Sequence, residues 1–156
     1  MTDSILAIDP GTKCGWCLRA SDGSMDSGVW NLKGGRFEGG GMRSVRLAAH
    51  LNELYGMVPF TAVFYEEVRR HMGVDAAHIY GGIIAKISEW GELNGVPYAG
   101  VPVGTIKKFA TGKGNADKSQ MIAAAVAKWP TLAAKTGADE ADARWIAECA
   151  ATTKIW

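Results

Sequence analysis

The chain has 156 residues, with 17 Lys and Arg against 16 Asp and Glu, giving a formal net charge of +1. That length suits one domain, residues 1–156, with a substantial core, and 47% hydrophobic against 21% charged residues excludes a disordered chain. No apolar run approaches the roughly 20 residues that span a bilayer, and the start Met1-Thr2-Asp3-Ser4 lacks the basic flank of a signal peptide, so no membrane partner and a cytoplasmic location are expected.

Ile5-Leu6-Ala7-Ile8-Asp9 reads as a buried strand closed by the turn Pro10-Gly11-Thr12-Lys13. Residues 14–20 and 26–32 read as two further strands around the turn Ser21-Asp22-Gly23-Ser24, so the chain opens with an antiparallel meander. The glycine-rich stretch from Gly34 to Gly41 is a flexible connection. A helix from Met42 to Gly56 follows, with Leu47, Leu51 and Leu54 on one face beside Ala48 and Tyr55, and Arg43, Arg46, His50 and Glu53 on the other.

Thr61–Glu66 is a fourth strand. Asp75 is placed to cap a long helix to Asn94, whose stripe is Ala76, Tyr80, Ile83, Ile84, Ile87 and Gly91, with Ile79 and Trp90 at its margins. That face is wide enough to serve the core and a second copy of the chain. Gly81-Gly82 costs helix stability, which close helix packing would offset. Val96–Val103 is a fifth strand whose ends, at Pro97 and Pro102, are not fully paired. A short helix over Gly104–Ala110, a helix capped by Asp117 and ended by Pro130, and a last helix from Asp139 to about Thr153 complete the chain. Meander first, then strand–helix alternation, gives an α/β fold with a mixed five-stranded sheet and flanking helices.

Near-zero net charge argues neither for nor against a nucleic-acid partner, but its distribution is informative. Lys107, Lys108, Lys113 and Lys118 are opposed only by Asp117, and Arg69, Arg70 and His71 follow the pair Glu66-Glu67. Such local stripes suit a phosphate backbone, although isolated surface lysines are commonly only solvated. Cys14-Gly15-Trp16-Cys17 has redox or zinc spacing, yet on a strand its two thiols point to opposite faces, and no second Cys/His pair completes a zinc site. Most of the six tryptophans read as core or interface, and His50, His71 and His78 as surface residues.

The acids carry the chemistry. Asp9 ends the first apolar run, Glu66 and Glu67 end Ala62-Val63-Phe64-Tyr65, and Asp139 and Asp142 share one face of the last helix. Carboxylates gathered beside a core repel one another and are held protonated unless something neutralises them. Hard divalent cations with oxygen ligands do this, which points to a Mg²⁺ or Mn²⁺ site for phosphoryl chemistry.

Ile8-Asp9-Pro10-Gly11-Thr12, Tyr65-Glu66-Glu67-Val68 and Asp139-Glu140-Ala141-Asp142-Ala143, in that order, resemble the motifs of the RNase H-like nuclease superfamily, and most closely of the RuvC Holliday junction resolvases. The segment from Ile106 to Gln120 is similar to the RuvC stretch that carries two lysines around a small-residue turn, and Lys107 and Lys118 fall on those lysines. The resemblance runs from Ile5 to about Ala150. It implies an RNase H-like sheet and a homodimeric endonuclease acting on branched DNA, the four-way junction above all. Asp9, Glu66, Asp139 and Asp142 would be catalytic ligands of two Mg²⁺ ions, with Mn²⁺ able to substitute. One ion would activate a water and the other stabilise the leaving 3′ oxygen, giving 5′-phosphate and 3′-hydroxyl ends. Lys118 would stabilise charge in the transition state and Lys107 would position the backbone, with Lys108, Lys113, Arg69 and Arg70 as further DNA contacts. The motif favours Glu66 over Glu67, since alternation puts only one of them on the active face. Glu140 reads as solvated.

One departure is Val68-Arg69-Arg70-His71-Met72, where bacterial RuvC enzymes carry a wedging aromatic. Phosphate contact is expected there instead. Phage-encoded relatives are more relaxed toward other branched DNA, and this chain is short enough to be one, its location then being the host cytoplasm. Three other readings compete. An actin-like ATP-binding fold needs two lobes, which one domain of this size does not supply. A non-catalytic binder of branched DNA leaves the acids unexplained. A related nuclease would act on flaps or RNA–DNA hybrids.

Overall fold

The computed structural model describes residues 3–71, 73–132 and 137–153. Strands β1 (Ser4–Asp9), β2 (Lys13–Ala20) and β3 (Met25–Asn31) form the meander, followed by helix α1 (Gly41–Met57). Strand β4 (Val63–Glu67), helix α2 (Val74–Asn94), strand β5 (Tyr98–Pro102) and helices α3 (Val103–Thr111), α4 (Lys118–Lys128) and α5 (Ala138–Thr153) complete it. The sheet order is β3-β2-β1-β4-β5, antiparallel from β3 to β1 and parallel from β1 to β5. The α/β expectation of three antiparallel strands followed by parallel ones therefore holds.

Side-chain alternation sorts the strands onto two cores. Leu6 and Ile8 of β1, Cys14 and Leu18 of β2 and Val63 of β4 join Leu47, Leu51, Ile83, Ile87 and Trp90 of α1 and α2. Ala7, Cys17, Phe64 and Val101 point the other way, onto Ile106, Met121, Trp145 and Ile146 of α3, α4 and α5. Cys14 and Cys17 thus lie on opposite faces as free, buried thiols. Burial raises both, Cys17 to about 12, which keeps them unreactive.

Several local expectations are corrected. Asp75 does not cap α2; Gly73 occupies that position without a side-chain bond, and Asp75 sits in the first turn, where its charge suits the helix dipole. Trp90 is buried rather than marginal, against Tyr55 and Phe60, and its indole N–H donates to Asn52 Oδ1 at 2.8 Å. Ala76 is exposed, and among the described residues nothing would lie within 4 Å of a β carbon at Gly81 or Gly82, so close packing there does not account for that pair. Of the histidines only His78 is exposed: His50 stacks on Trp30 at 4.9 Å and His71 packs on Tyr80 at 4.8 Å. The β3–α1 connection is tied down by Glu38, which accepts from Gly35 N at 2.8 Å and pairs with Arg46 of α1.

Candidate active site

Parallel strands β1, β4 and β5 end on the same edge of the sheet, where ligand sites of such sheets form. Asp9 is the last residue of β1 and points with Ala7 toward α5. On β4, Phe64 faces α5, so by the same alternation Glu66 does too, whereas Glu67 belongs to the opposite face with Tyr65. Glu67 instead approaches Arg69 Nε at 3.6 Å.

Helix α5 brings the other two acids. Its Glu140, Arg144 and Glu148, four residues apart, form a polar stripe that docks on the meander. Ser27 Oγ of β3 donates to Glu140 Oε2 at 2.6 Å, Arg144 Nε donates to Ser27 Oγ at 2.8 Å, and Arg19 Nε of β2 donates to Glu148 Oε2 at 2.8 Å. Glu140 is therefore a fastener of α5 rather than a solvated residue. With the stripe held, Asp139, Asp142 and Ile146 face the strand ends. Gly15, which pairs with Asp9 across β1 and β2, is the point of closest approach: a β carbon there would overlap the backbone carbonyl of Asp139.

The lysines arrive from α3 and α4. Ile106 is buried and fixes α3, which sets Lys107 on its inner side. Gly112, at φ +83°, ends α3 in the left-handed region. Asp117 then opens α4 with a reciprocal cap: its carboxylate accepts from Gln120 N at 2.8 Å, and its own N–H donates to Gln120 Oε1 at 2.9 Å. The Asp117-Lys118-Ser119-Gln120 run is thus a helix start that places Lys118 in the first turn.

These pieces line one cleft of about 290 Å³, walled by Val103, Ile106, Met121 and Ile146, into which Asp9, Glu66, Asp139, Asp142, Lys107 and Lys118 all project. Lys108, Lys113, Arg69 and Arg70 lie outside it on exposed surface. Met72 lies outside the described residues.

The cleft is electrostatically unfinished. Asp9 is only 8% exposed. Burial first, then the charge and hydrogen bonding of Glu66, then Asp142 and Asp139, hold its carboxyl well above the ordinary carboxylate range. Burial, Glu66 and Asp139 raise Asp142 to about 7, against the opposing pull of Lys107 and Lys118. Among the described residues no three His, Cys, Asp or Glu side chains form a ready-made metal cage. The donor set nevertheless fits a hard divalent ion: it is all carboxylate oxygen, mutually repelling and open to the cleft.

Sequence reasoning found the acids and both cleft lysines but passed over Gly15 and Tyr80. The Tyr80 hydroxyl donates to the Glu66 carbonyl at 2.9 Å and accepts from Val68 N at 3.1 Å. In the sequence Gly15 stands only within Cys14-Gly15-Trp16-Cys17, and Tyr80 only within an apolar helix stripe.

No protein-family model matches the chain, and no curated protein sequence does. Solved structures do. Thermus thermophilus RuvC in complex with a Holliday junction substrate superposes with a TM-score of 0.82 at 22% identity, covering 97% of this chain and 94% of that one. A second Thermus thermophilus RuvC structure gives 0.77 at 22% identity, over 97% and 96% of the two chains. The yeast mitochondrial Holliday junction resolvase Ydc2 gives 0.65 at 17% identity, over 96% and 78%. With a TM-score of 0.82 at near-full coverage of both chains, the chain has the RuvC-type, RNase H-like α/β fold.

Proposed function

We propose that this protein is a metal-dependent, structure-selective DNA endonuclease that resolves four-way junctions and related branched DNA. The observation that carries the reading is the cleft itself, which gathers four carboxylates and two lysines from five separate elements. The junction-resolving activity named for the similar structures supplies the substrate class. A sheet that carries a packed core on each face supports residues 1–156 acting as one nuclease domain.

Asp9, Glu66, Asp139 and Asp142 would hold two Mg²⁺ ions, with Mn²⁺ able to replace them. Bound there, the ions supply an activated water and charge neutralisation at the scissile phosphate. The chain's own residues do the rest. Lys118, in the first turn of α4, offers a donor to the charge that builds on the phosphate, leaving 5′-phosphate and 3′-hydroxyl ends. Lys107 holds the backbone in register from α3, and the exposed Lys108, Lys113, Arg69 and Arg70 extend the basic track beyond the cleft. The apolar wall of Val103, Ile106 and Met121 limits water and strengthens each of these interactions.

Symmetric resolution needs two active sites, hence a two-fold dimer. Helix α2 offers the surface: Val74 and Leu93 are 71% and 78% exposed, and Gly81 and Gly82 leave room for a close neighbour. No helix among the described residues is long and apolar enough to cross a membrane, in keeping with action on DNA in the cytoplasm.

The test is a cleavage panel in Mg²⁺ with a four-way junction, three-way junction, flap, duplex and RNA–DNA hybrid. Paired symmetric nicks in the four-way junction support the reading. Cleavage confined to the hybrid replaces it with an RNase H activity, and binding without cleavage makes the protein a branched-DNA binder.

A further inference from the structure

The parallel pairing of β1 with β4 stops one residue short of where the site needs it. The register is Leu6 with Val63, Ala7 with Phe64 and Ile8 with Tyr65. Leu6 N donates to the Ala62 carbonyl at 3.0 Å. In a parallel ladder the donors that face one neighbour recur at every second residue. Continued by that period, Ile8 serves the Phe64 carbonyl, and residue 10 falls opposite the carbonyl of Glu66. Residue 10 is proline, which has no N–H. The Val68 N–H, next along the same edge of β4, would by the same period meet the Pro10 carbonyl, but the pairing has ended at Ile8 and Tyr65 and it bonds the Tyr80 hydroxyl instead.

Both groups are taken up by one side chain from another layer. Tyr80, on α2, donates its hydroxyl proton to the Glu66 carbonyl at 2.9 Å and accepts the Val68 N–H at 3.1 Å. It is held there by His71, whose ring lies 4.8 Å from its own, and it backs a cleft of about 310 Å³ shared with Pro10, Thr12 and Ile79. A phenol reaching across the end of a strand thus supplies the donor that Pro10 lacks and takes up the next N–H of the same edge as well.

We propose that Tyr80 is a positioning residue for Glu66: its hydroxyl stands in for the ladder bond absent at Pro10 and fixes the backbone from which Glu66 presents its carboxylate to a divalent cation. The inference rests on Glu66 being a metal ligand, as proposed above. It adds a residue that touches neither metal nor DNA and acts only through the β4 backbone.

The test is divalent-ion affinity, read by electron paramagnetic resonance of free Mn²⁺, in the full chain and in Tyr80→Phe. The variant removes one hydroxyl and keeps the ring. Loss of the two backbone hydrogen bonds that the hydroxyl makes is expected to weaken Mn²⁺ binding about fivefold, with four-way-junction affinity in Ca²⁺ unchanged. The same loss raises the Mg²⁺ concentration for half-maximal cleavage without lowering the rate at saturating Mg²⁺. Pro10→Ala added to Tyr80→Phe returns an N–H to the ladder and is expected to recover Mn²⁺ affinity, which a general loss of packing would not. Unchanged Mn²⁺ affinity in Tyr80→Phe overturns this inference alone, even if the wild type cuts no DNA. A wild type that binds no Mn²⁺ overturns the metal-dependent reading with it. Should Tyr80→Phe fail to fold, the double variant decides: wild-type Mn²⁺ affinity supports the assignment, and lost affinity in a folded double variant overturns it.

Discussion

Gly15 and Asp139 share a space that only a missing side chain leaves open, because a β carbon at position 15 would overlap the Asp139 carbonyl. Gly15 is also the cross-strand partner of Asp9. The same residue therefore lets α5 come down onto the sheet beside the acid that ends β1. The clash is with backbone at the start of α5, so it cannot be relieved by turning a side chain. Gly15→Ala is expected to push the first turn of α5 outward, while the Arg19–Glu148 pair further along the helix stays in place. Cleavage should fall by ~100-fold or more, since about 1 Å of misplacement at a reacting centre has that effect. Melting should drop by only a few degrees, the usual scale for a strained site in a domain of this size. Wild-type cleavage by Gly15→Ala would show that α5 does not need this approach.

Asp9 is the most buried of the four acids, and its burial and its proposed role as a metal ligand predict opposite effects of one substitution. Asp9→Asn removes a charge that burial and Glu66 disfavour. Without divalent ions the variant is expected to melt above the wild type near pH 8. With Mg²⁺ it should lose cleavage by ~1,000-fold or more, as loss of a group acting in concert with others does, and still bind the four-way junction. Wild-type cleavage rates in the variant would remove Asp9 from the reaction.

The raised carboxyls also set a pH dependence. Asp9 and Asp142 both titrate above the ordinary carboxylate range, Asp142 at about 7. A carboxyl raised in the folded state favours folding while it is protonated. That contribution is complete below the unfolded carboxylate value and is lost as pH rises through the folded value. Metal-free protein should accordingly melt lower near pH 8 than near pH 6. Added Mg²⁺ should raise the melting temperature more at the higher pH, because ion binding and proton release are linked. Calorimetry in chelator and in Mg²⁺ at both pH values checks this. A metal-free melting temperature that climbs from pH 6 to pH 8 contradicts it.

Lys118 and Lys107 line the same cleft from different helices, and the separate roles proposed for them are distinguishable in kinetics. Lys118→Ala should lower single-turnover cleavage ~100-fold, the scale for losing one donor to transition-state charge, with junction affinity within about twofold. Lys107→Ala should do the reverse, weakening binding and flattening its salt dependence by about one unit of slope. If Lys118→Ala alters affinity alone, it is a backbone contact like Lys107.

What the sequence made legible follows the range over which each signal acts. Strand β1, the Ser21–Ser24 turn and the Asp117 cap are local patterns, and each appears in place: Asp22 Oδ1 accepts from Ser24 N at 2.8 Å, and Asp117 from Gln120 N at 2.8 Å. The alternation that separates Cys14 from Cys17 is equally local. Gly15 and Glu140 were missed because their partners lie far along the chain, and Tyr80 because a hydroxyl within an apolar helix stripe does not announce that it reaches the end of β4. Ser27 and Glu140 are 113 residues apart, and nothing in either neighbourhood announces the bond. Asp75 failed as a cap for another reason: Gly73 is extended and begins the turn earlier, so the nearest acid falls inside the helix. The basic cluster was half legible. Lysines at 107 and 118 reach the cleft because Ile106 and the Asp117 cap orient their helices, whereas Lys108, one residue further round α3, is turned to the exposed surface and Lys113 lies beyond the helix end.

Glu66 and Glu67 offer the sharpest test of the site, because neighbouring identical side chains differ only in the face of β4 they occupy. Glu66 shares the cleft with Asp9 and adds to the load on both raised carboxyls. Glu67 sits across the strand near Arg69, and that pair is exposed, its Arg69 side chain 80% accessible, so it contributes little to stability. Glu66→Gln keeps the shape of the side chain and removes one negative charge. It should lower Asp9 and Asp142 toward the ordinary range, raise metal-free stability near pH 8, and lose cleavage by ~1,000-fold or more. Glu67→Gln should leave Mn²⁺ affinity and cleavage within about twofold of wild type, as expected for an exposed polar change. A cleavage defect that follows Glu67 and spares Glu66 would mean that β4 presents its other face to the metal, and the whole cleft would have to be reassigned.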